Sequence, residues 1–257
     1  MSEQQRRVVA WVTISMDGYT SGPQGPAHDT WLYEHVSREP SAAHFEGIWR
    51  GASTIVLGRT NYEGFYSVWP GITADPGTDP RSRDLGVFLN TVEKVVVSRT
   101  LQEAAWENSR IARDLESEVK ALRDAPGRDI LVINSASVIQ ALLRANLIDD
   151  LRFAVVPVLL GGGLRLFAEG LPASAWTLIQ ATILADGAIG LHYRRQLPAV
   201  RPKGIKPDMS LLSPRTAVAC EARPVTGCTL RPPVVESTPD HCLVPHGGMR
   251  RTTARLR

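Results

Sequence analysis

Short β-branched apolar runs recur along the first 160 residues, and segments with helical spacing lie between them. The apolar runs are residues 8–14, 54–57, 94–98, 130–133 and 151–156, and the helical segments are residues 41–50, 62–69, 81–90, 111–123 and 137–145. Strands that are apolar at successive positions are buried on both faces, which is typical of parallel sheets covered by helices. Strands that alternate with helices need crossover connections, so the sequence predicts a layered α/β domain with a mostly parallel sheet.

The pattern changes around residue 186. The pair Asp186-Gly187 separates residues 176–185 from residues 188–197, and Asp-Gly between two such segments is a strong signal for a β-hairpin. We therefore expect an antiparallel hairpin to close the sheet at its C-terminal end, which makes the sheet mixed.

Composition divides the chain near residue 198. All Phe, Trp and Tyr residues lie between Trp11 and Tyr193, whereas eight of the 18 prolines and all three cysteines follow residue 200. From residue 200 onward ten Lys and Arg face four acidic residues, so this part carries +6 and the preceding part −3. A segment so poor in large apolar side chains cannot offset its ordering entropy. We expect one domain over residues 1–198 and a Pro-rich, basic, disordered tail over residues 199–257.

The tail allows two other interpretations. Cys220, Cys228 and Cys242, with His241 and His246, are potential zinc ligands, but the absence of a C-x-x-C pair favours disorder. The positive charge of the tail is also compatible with weak contact to nucleic acid or an anionic membrane.

The body of the chain, residues 1–198, is acidic and is not expected to bind nucleic acid. It contains no cysteine, and the chain starts with neither a signal-peptide core nor a membrane span. These features predict a cytoplasmic protein without membrane attachment and without a metal site in the body.

Several common catalytic motifs are absent from the sequence. Gly161 and Gly163 are followed by Leu166, so G-x-G-x-x-G is incomplete, and no Walker loop, G-x-S-x-G elbow or H-E-x-x-H occurs. A Rossmann dehydrogenase, a P-loop enzyme, an α/β-hydrolase and a zincin therefore lose support.

The remaining chemistry lies where predicted strands end. The strand at residues 54–57 runs into Gly58, Arg59 and Thr60, and Thr60 with Glu63 has the spacing of a capping box. Free amides at a helix start beside an arginine favour an anion. An ordinary capped helix with a solvated arginine explains these residues equally well.

Two more strand ends have similar residues. Residues 94–98 end in Ser98 and Arg99, and residues 130–133 lead through Asn134 into a run of small residues that precedes the next helix. Ser135 or Ser137 is the expected N-cap of this helix. Three such ends in one sheet predict a phosphate-bearing dinucleotide along the carboxyl edge.

Asp17 and a glycine-rich loop lie at further strand ends. Asp17 follows the first predicted strand, so its carboxylate is expected at the same edge of the sheet. An Asx turn explains an aspartate at this position equally well. Residues 157–163, which include Gly161 and Gly162, allow backbone to approach a ligand or another chain closely, or else form a tight structural loop.

Taken in order, these motifs resemble the dihydrofolate reductase-like superfamily, most closely the group that shares the reductase domain of bacterial riboflavin biosynthesis. The resemblance rests on ISMDG at residues 14–18, LGRTNYE at 57–63, VVVSRT at 95–100 and the long segment at residues 133–167. Together these motifs span residues 8–197 of the chain. The resemblance implies a three-layer α/β/α domain, NADPH as hydride donor and a homodimer.

The same resemblance implies roles for individual residues. Arg59, Ser98 and Arg99 would hold the 2′-phosphate of the cofactor, and a pair of arginines favours NADPH over NADH. Gly58, Thr60 and the helix start would receive the pyrophosphate. The helix-start residues are Asn134, Ser135, Ala136, Ser137 and Val138. Asn134 stands where the family usually has glycine, and Asn also tolerates a positive φ.

The predicted function is that of an NADPH-dependent reductase that transfers a hydride to a C=N or C=O of a small pteridine- or pyrimidine-like heterocycle. Asp17, or a water that it orders, is the candidate proton donor, and Glu46 is the alternative. Trp31 is a candidate for stacking on the substrate, although an aromatic of the core or of a lid is the better explanation. Gly161 and Gly162 are candidates for lining the substrate. The competing hypothesis is a protein of the same fold that binds NADPH or a drug without turnover.

Overall fold

The computed structural model describes residues 5–25 and 28–196, with Glu34 described by its backbone alone. The predicted tail at residues 199–257, with its cysteines and histidines, lies outside the described residues. Within the described ranges, no helix is long and apolar enough to cross a membrane. The same ranges contain no group of three or more His, Cys, Asp or Glu residues arranged to hold a metal ion.

The described residues form ten strands in two sheets. The strands are β1 (Val8–Ser15), β2 (Tyr19–Ser21), β3 (Ala52–Gly58), β4 (Glu93–Val97), β5 (Ser109–Ala112), β6 (Asp129–Ile133), β7 (Asp150–Val156), β8 (Leu164–Arg165), β9 (Trp176–Ile183) and β10 (Ile189–Arg195). Eight of them form one sheet in the order β5-β4-β3-β6-β1-β7-β10-β9, while β2 and β8 form a small antiparallel pair.

Over the same described ranges, seven α-helices connect these strands. They are α1 (Tyr33–Ser37), α2 (Ser41–Trp49), α3 (Arg59–Tyr66), α4 (Trp69–Ile72), α5 (Pro80–Thr91), α6 (Leu115–Asp124) and α7 (Ala136–Arg144). Apolar residues of α6 and α7 pack on one face of the sheet, and those of α2, α3 and α5 pack on the other. The predicted three-layer α/β/α arrangement is therefore confirmed.

The direction of the strands also agrees with the prediction. All contacts among β5, β4, β3, β6, β1 and β7 are parallel, whereas β10 runs antiparallel to both β7 and β9. The turn between β9 and β10 uses positive φ at Asp186 (51°) and Gly187 (77°), which Asp-Gly supplies at low cost. The mixed sheet with a C-terminal hairpin is confirmed.

Two predicted helices begin elsewhere. The segment at residues 111–123 is not one helix, because Ile111 belongs to β5 and pairs with Val96. Asp114 then accepts a hydrogen bond from the Ser117 amide and starts α6. The prediction of one helix over residues 62–69 is also wrong. Helix α3 begins directly after β3, and a separate helix, α4, follows it.

Candidate functional site

The carboxyl ends of the parallel strands form one continuous edge. From β4 through β3, β6 and β1 to β7, this edge brings together Ser98 and Arg99, Gly58 and Arg59, the start of α7, Asp17 and the loop at residues 158–163. At about 4.8 Å per strand, four spacings give an edge of about 19 Å. The strand-end residues singled out in the sequence therefore lie in one row.

The junction of β3 and α3 contains no loop. Gly58 is the last residue of β3 and the N-cap of α3, and no side chain caps this helix. The predicted capping box of Thr60 and Glu63 is therefore wrong, since Thr60 already lies inside the helix. Glu63 instead accepts a hydrogen bond from Arg59 Nε at 2.7 Å.

Arg59 bridges two neighbouring strand ends. Its Nη1 donates to Thr100 Oγ1, 3.0 Å away in the segment after β4, and about half of the Arg59 side chain is exposed. Ser98 shapes that segment, because its Oγ accepts the amides of Thr100 (3.3 Å) and Leu101 (3.0 Å). Arg113, directly after β5, holds it through a 2.7 Å hydrogen bond to the Ser98 carbonyl. Arg59 and the exposed Arg99 are thus presented together.

The start of α7 is packed against the end of β3. Ser135 is the N-cap residue but makes no side-chain cap; its Oγ accepts the Gly58 amide at 2.9 Å instead. A Cβ on Gly58 would lie 3.3 Å from Val138 Cγ2, so only glycine lets the two elements meet without adjustment. Among the described residues, the Ser137 and Val138 amides make no hydrogen bond with a loop or turn. Ser137 is exposed, so its amide is available to an anion.

Asn134 makes the turn from β6 into α7 with φ of 50°. Because Asn adopts this left-handed conformation more readily than Ala, we expect Asn134→Ala to lower the free energy of unfolding by about 1 kcal/mol. Asn134→Gly should leave it unchanged within about 0.5 kcal/mol. Urea denaturation of both variants measures the difference, and equal losses would show that the turn does not depend on φ.

Asp17 binds the glycine-rich loop that follows β7. Its Oδ1 accepts the Ser15 hydroxyl at 2.6 Å and the Leu160 amide at 3.2 Å, and its Oδ2 accepts the Gly161 amide at 2.7 Å. The hydrogen bond from Ser15, helped by the two amides, lowers the pKa of Asp17 to about 2. The carboxyl group is therefore ionised near neutral pH. Its observed contacts hold a loop, and a role of Asp17, or of a water that it orders, in proton transfer stays a prediction.

This pKa implies a specific pH dependence of stability. The pKa of Asp17 is about 2 in the folded protein and 3.8 for an ordinary aspartate. The ionised carboxylate therefore adds its full contribution to the free energy of unfolding above pH 3.8, and this contribution is lost as the pH falls to 2. We expect Asp17→Asn to be less stable than the unmodified chain at pH 5, with a difference that shrinks toward pH 2. Urea unfolding across this range measures it, and a constant difference would contradict the assignment.

Glu46, the second candidate proton donor, is part of an ion-pair network. Its Oε1 accepts Arg50 Nε at 2.7 Å and its Oε2 accepts Arg81 Nε at 3.0 Å. Both carboxylate oxygens thus have arginine partners, and Glu46 makes no hydrogen bond to a described residue of the carboxyl edge. A role of Glu46 as proton donor stays a prediction.

Trp31 is tied to its own loop. Its Nε1 donates to Asp29 Oδ1 at 2.9 Å, the same oxygen that accepts the Gly22 amide at 2.8 Å. The ring is half-buried and packs on the core beneath α2 and α3. Trp31 thus orders the segment after β2, and its stacking on a substrate stays a prediction.

The three glycines after β7 have different surroundings. Gly163 has φ of 116°, and a Cβ there would lie 2.1 Å from the Ser21 carbonyl oxygen. Gly161 has φ of 70° with nothing close, and a Cβ on Gly162 would meet only Pro23, at 3.8 Å. The close backbone approach of this loop is therefore to the segment after β2, through Gly163. A role of Gly161 and Gly162 beside a substrate stays a prediction.

Two residues of the edge were not anticipated from the sequence. Thr100 anchors Arg59, and Arg113 supports the turn at Ser98. The position of Thr100 directly after Ser98 and Arg99 was a usable signal. Arg113 gave none, because residues 111–123 were interpreted as one helix.

Comparisons with known proteins agree with this architecture. Residues 6–189 match the family model of the RibD C-terminal domain. The uncharacterised protein YyaP of Bacillus subtilis (strain 168) is 25% identical over 190 residues, which is 74% of this chain and 95% of YyaP.

Two crystal structures are similar in fold. A Shewanella sp. PV-4 protein provisionally assigned to riboflavin biosynthesis superimposes with a TM-score of 0.56 at 20% identity, over 74% of this chain and 99% of that one. A diaminohydroxyphosphoribosylaminopyrimidine deaminase/5-amino-6-(5-phosphoribosylamino)uracil reductase of Thermotoga maritima gives 0.53 at 12% identity, over 76% of this chain and 58% of that one.

Proposed function

Because the chain belongs to the RibD C-terminal domain family, we propose that it is an NADPH-dependent reductase of a small heterocycle. The proposed reaction adds a hydride and a proton across a C=N or C=O bond of a pteridine- or pyrimidine-like substrate. The observation that carries this proposal is the row of cationic side chains and unused amides along one edge of the sheet.

The residues of this edge fit the phosphates of NADPH. Arg59 and Arg99 are exposed cations on adjacent strand ends, and guanidinium groups bind a phosphate through paired hydrogen bonds. The Ser137 and Val138 amides at the start of α7 lie one strand further along, where a pyrophosphate would follow. The contact between Gly58 and Ser135 keeps the two helix starts together.

The nicotinamide of NADPH, once bound, supplies the hydride. This chain contributes position and electrostatics. The ionised Asp17 fixes the loop at residues 158–163, which then forms a wall at the β1–β7 end of the edge. Asp17 is ionised near neutral pH, so the proposal assigns the proton to a water that Asp17 orders at the exposed edge, with Glu46 as the alternative donor.

Fluorescence titration with NADPH and NADH, followed by absorbance at 340 nm with oxidised heterocycles, tests this function. We expect tighter binding of NADPH and oxidation with at least one pterin or pyrimidine. Failure to bind NADPH would contradict both the cofactor and the reaction. Binding of NADPH without its oxidation by any compound of the panel would favour a protein that sequesters NADPH or a drug. The structural contacts of Asp17 and Glu46 also favour this second function.

We also propose a homodimer formed through the outer face of the C-terminal hairpin. Ile183 of β9 and Ile189 of β10 are paired, so their side chains lie on the same face, and they are 80% and 45% exposed. On its other side, β9 pairs with no described strand. An exposed apolar face on an open edge strand is typical of a surface that a second copy covers.

Sedimentation equilibrium tests the homodimer. The unmodified chain should sediment as a dimer, and Ile183→Asp as a monomer with unchanged circular dichroism. The matched control is Thr177→Asp, at an exposed position on the same strand that pairs with Arg194. A monomeric unmodified chain would overturn the proposal.

A further inference from the structure

Three buried ring, guanidinium and hydroxyl atoms without hydrogen-bond partners lie around one part of the sheet. Within the described part of the chain, they are His44 Nε2, Arg152 Nε and Thr182 Oγ1. A buried polar atom left unpaired costs about 1–3 kcal/mol, and such atoms are few in folded proteins. Three in one place need an explanation.

Strand register puts these atoms on the same face. Arg152 of β7 is paired with Trp11 on one side and His192 on the other. Two positions along, Gly190 of β10 is paired with Thr182 of β9. Because paired residues point to the same side and alternate residues share a face, Arg152, His192, Gly190 and Thr182 face the layer that contains α2.

His44 reaches this face from α2. Its Nε2 lies 3.0 Å from the position of a Cβ on Gly190, and its ring centroid is 5.7 Å from that of Trp11. A side chain at position 190 would therefore collide with the imidazole. The glycine makes room for His44 between Trp11 and Thr182, and Arg152 is the next cation on that face.

The carboxylates near Arg152 make no hydrogen bond to these three groups. Asp150 Oδ1 lies 2.5 Å from His192 Nε2 and accepts Arg194 Nε at 3.1 Å, while the buried Asp150 Oδ2 has no hydrogen-bond partner and lies 3.6 Å from Arg7 Nη1. Asp129 is the second carboxylate whose charge acts on Arg152. Burial and the nearby charges of Arg152 and His192 lower the pKa of His44. Burial also lowers the pKa of Arg152, against the influence of Asp150. An added anion would relieve both effects.

We propose that the His44–Arg152 cluster, defined as His44, Arg152 and Thr182, binds an oxyanion, the carboxylate or phosphate group of a small molecule. Arg152 would supply the charge, Thr182 a hydroxyl donor and His44 a ring N–H. Arg152 is the third residue of β7, so the cluster lies away from the carboxyl edge where Arg59 and Arg99 are presented. The inference does not depend on the proposed reductase activity.

Histidine NMR of the full chain, titrated with inorganic phosphate, tests this site. We expect the pKa of His44 to rise by about one unit at saturation, as an opposite charge within hydrogen-bonding distance does. The exposed His28 is an internal control and should not change. An unchanged His44 pKa would overturn the proposal, and so would crystals grown in phosphate that contain only water at the cluster.

Variants separate this site from the cofactor edge. Thr182→Val, which keeps the shape of the side chain, should weaken phosphate binding at His44 at least threefold, and Arg152→Leu at least tenfold. Because Arg152→Leu can affect folding, the decisive comparison is phosphate binding by Thr182→Val against phosphate binding by the unmodified chain. In Arg99→Leu, phosphate should still raise the pKa of His44. Loss of this response in Arg99→Leu would overturn the proposal.

The source of the oxyanion is tested by competition. Displacement of phosphate by pterin-6-carboxylate but not by pterin would support a group carried by a heterocyclic ligand. Displacement by neither would support a free anion. Displacement by pterin alone would mean that the cluster recognises the ring, and would overturn the proposal.

Discussion

The Arg59→Ala, Arg99→Ala double variant is expected to bind NADPH about 100-fold more weakly, with little change for NADH. A hydrogen bond to a charged group contributes about 1.5–3 kcal/mol, and each 1.4 kcal/mol is a factor of about ten in affinity. We take the lower end of this range because both side chains are exposed and Arg59 already binds Glu63 and Thr100. Nicotinamide fluorescence measures both affinities.

The control for this prediction is Arg144→Ala. Arg144 is an exposed arginine in the last turn of α7, at the opposite end of that helix from the candidate phosphate site. Its loss should change neither affinity by more than about twofold, which would exclude a general effect of charge. If the double variant lost NADH to the same extent as NADPH, the two arginines would not recognise the extra phosphate.

The second large effect is expected at Gly163. A Cβ there would lie 2.1 Å from the Ser21 carbonyl oxygen, at a φ of 116°, so Gly163→Ala must separate β2 from β8. We expect a loss of at least about 3 kcal/mol in the free energy of unfolding, since backbone strain and overpacking each cost about 1–3 kcal/mol. Urea denaturation followed by circular dichroism measures it.

The neighbouring glycines are matched controls. Gly161→Ala should cost about 1 kcal/mol, because only its φ of 70° opposes a side chain, and Gly162→Ala should be close to neutral. The expected order of stability is therefore Gly162→Ala, Gly161→Ala, Gly163→Ala, from highest to lowest. Equal effects at all three positions would show that general loop flexibility, and not the contact with Ser21, determines stability.

Periodicity was enough to predict the layers of the fold, because a helix or strand buried over several residues leaves a repeating pattern. Periodicity failed where an element was very short, or where an apolar residue of a strand had the spacing expected of the following helix. The strands β2 and β8 have three and two residues, too few to show alternation. Ile111 of β5 is four residues from Leu115 and therefore fitted the helix that follows.

The candidate site shows the same limit at the level of single side chains. Ser135 occupies the expected N-cap position, but its hydroxyl accepts an amide 77 residues away, from Gly58. Asp17 satisfies the local pattern of an Asx turn, yet it binds amides 143 and 144 residues away. Local rules predict which residues reach the edge of the sheet, and the tertiary fold decides their partners.

The position of β1 in the sheet has a consequence for synthesis on the ribosome. β1 is the first strand of the chain, but its partners are β6 and β7, beginning with Val8 opposite Ile130. At about 5–20 residues per second, translation takes roughly 6–24 s to deliver that partner. During this time the apolar strand Val8–Ser15 has no sheet to join, so nascent chains are expected to need a chaperone until residue 156 has emerged.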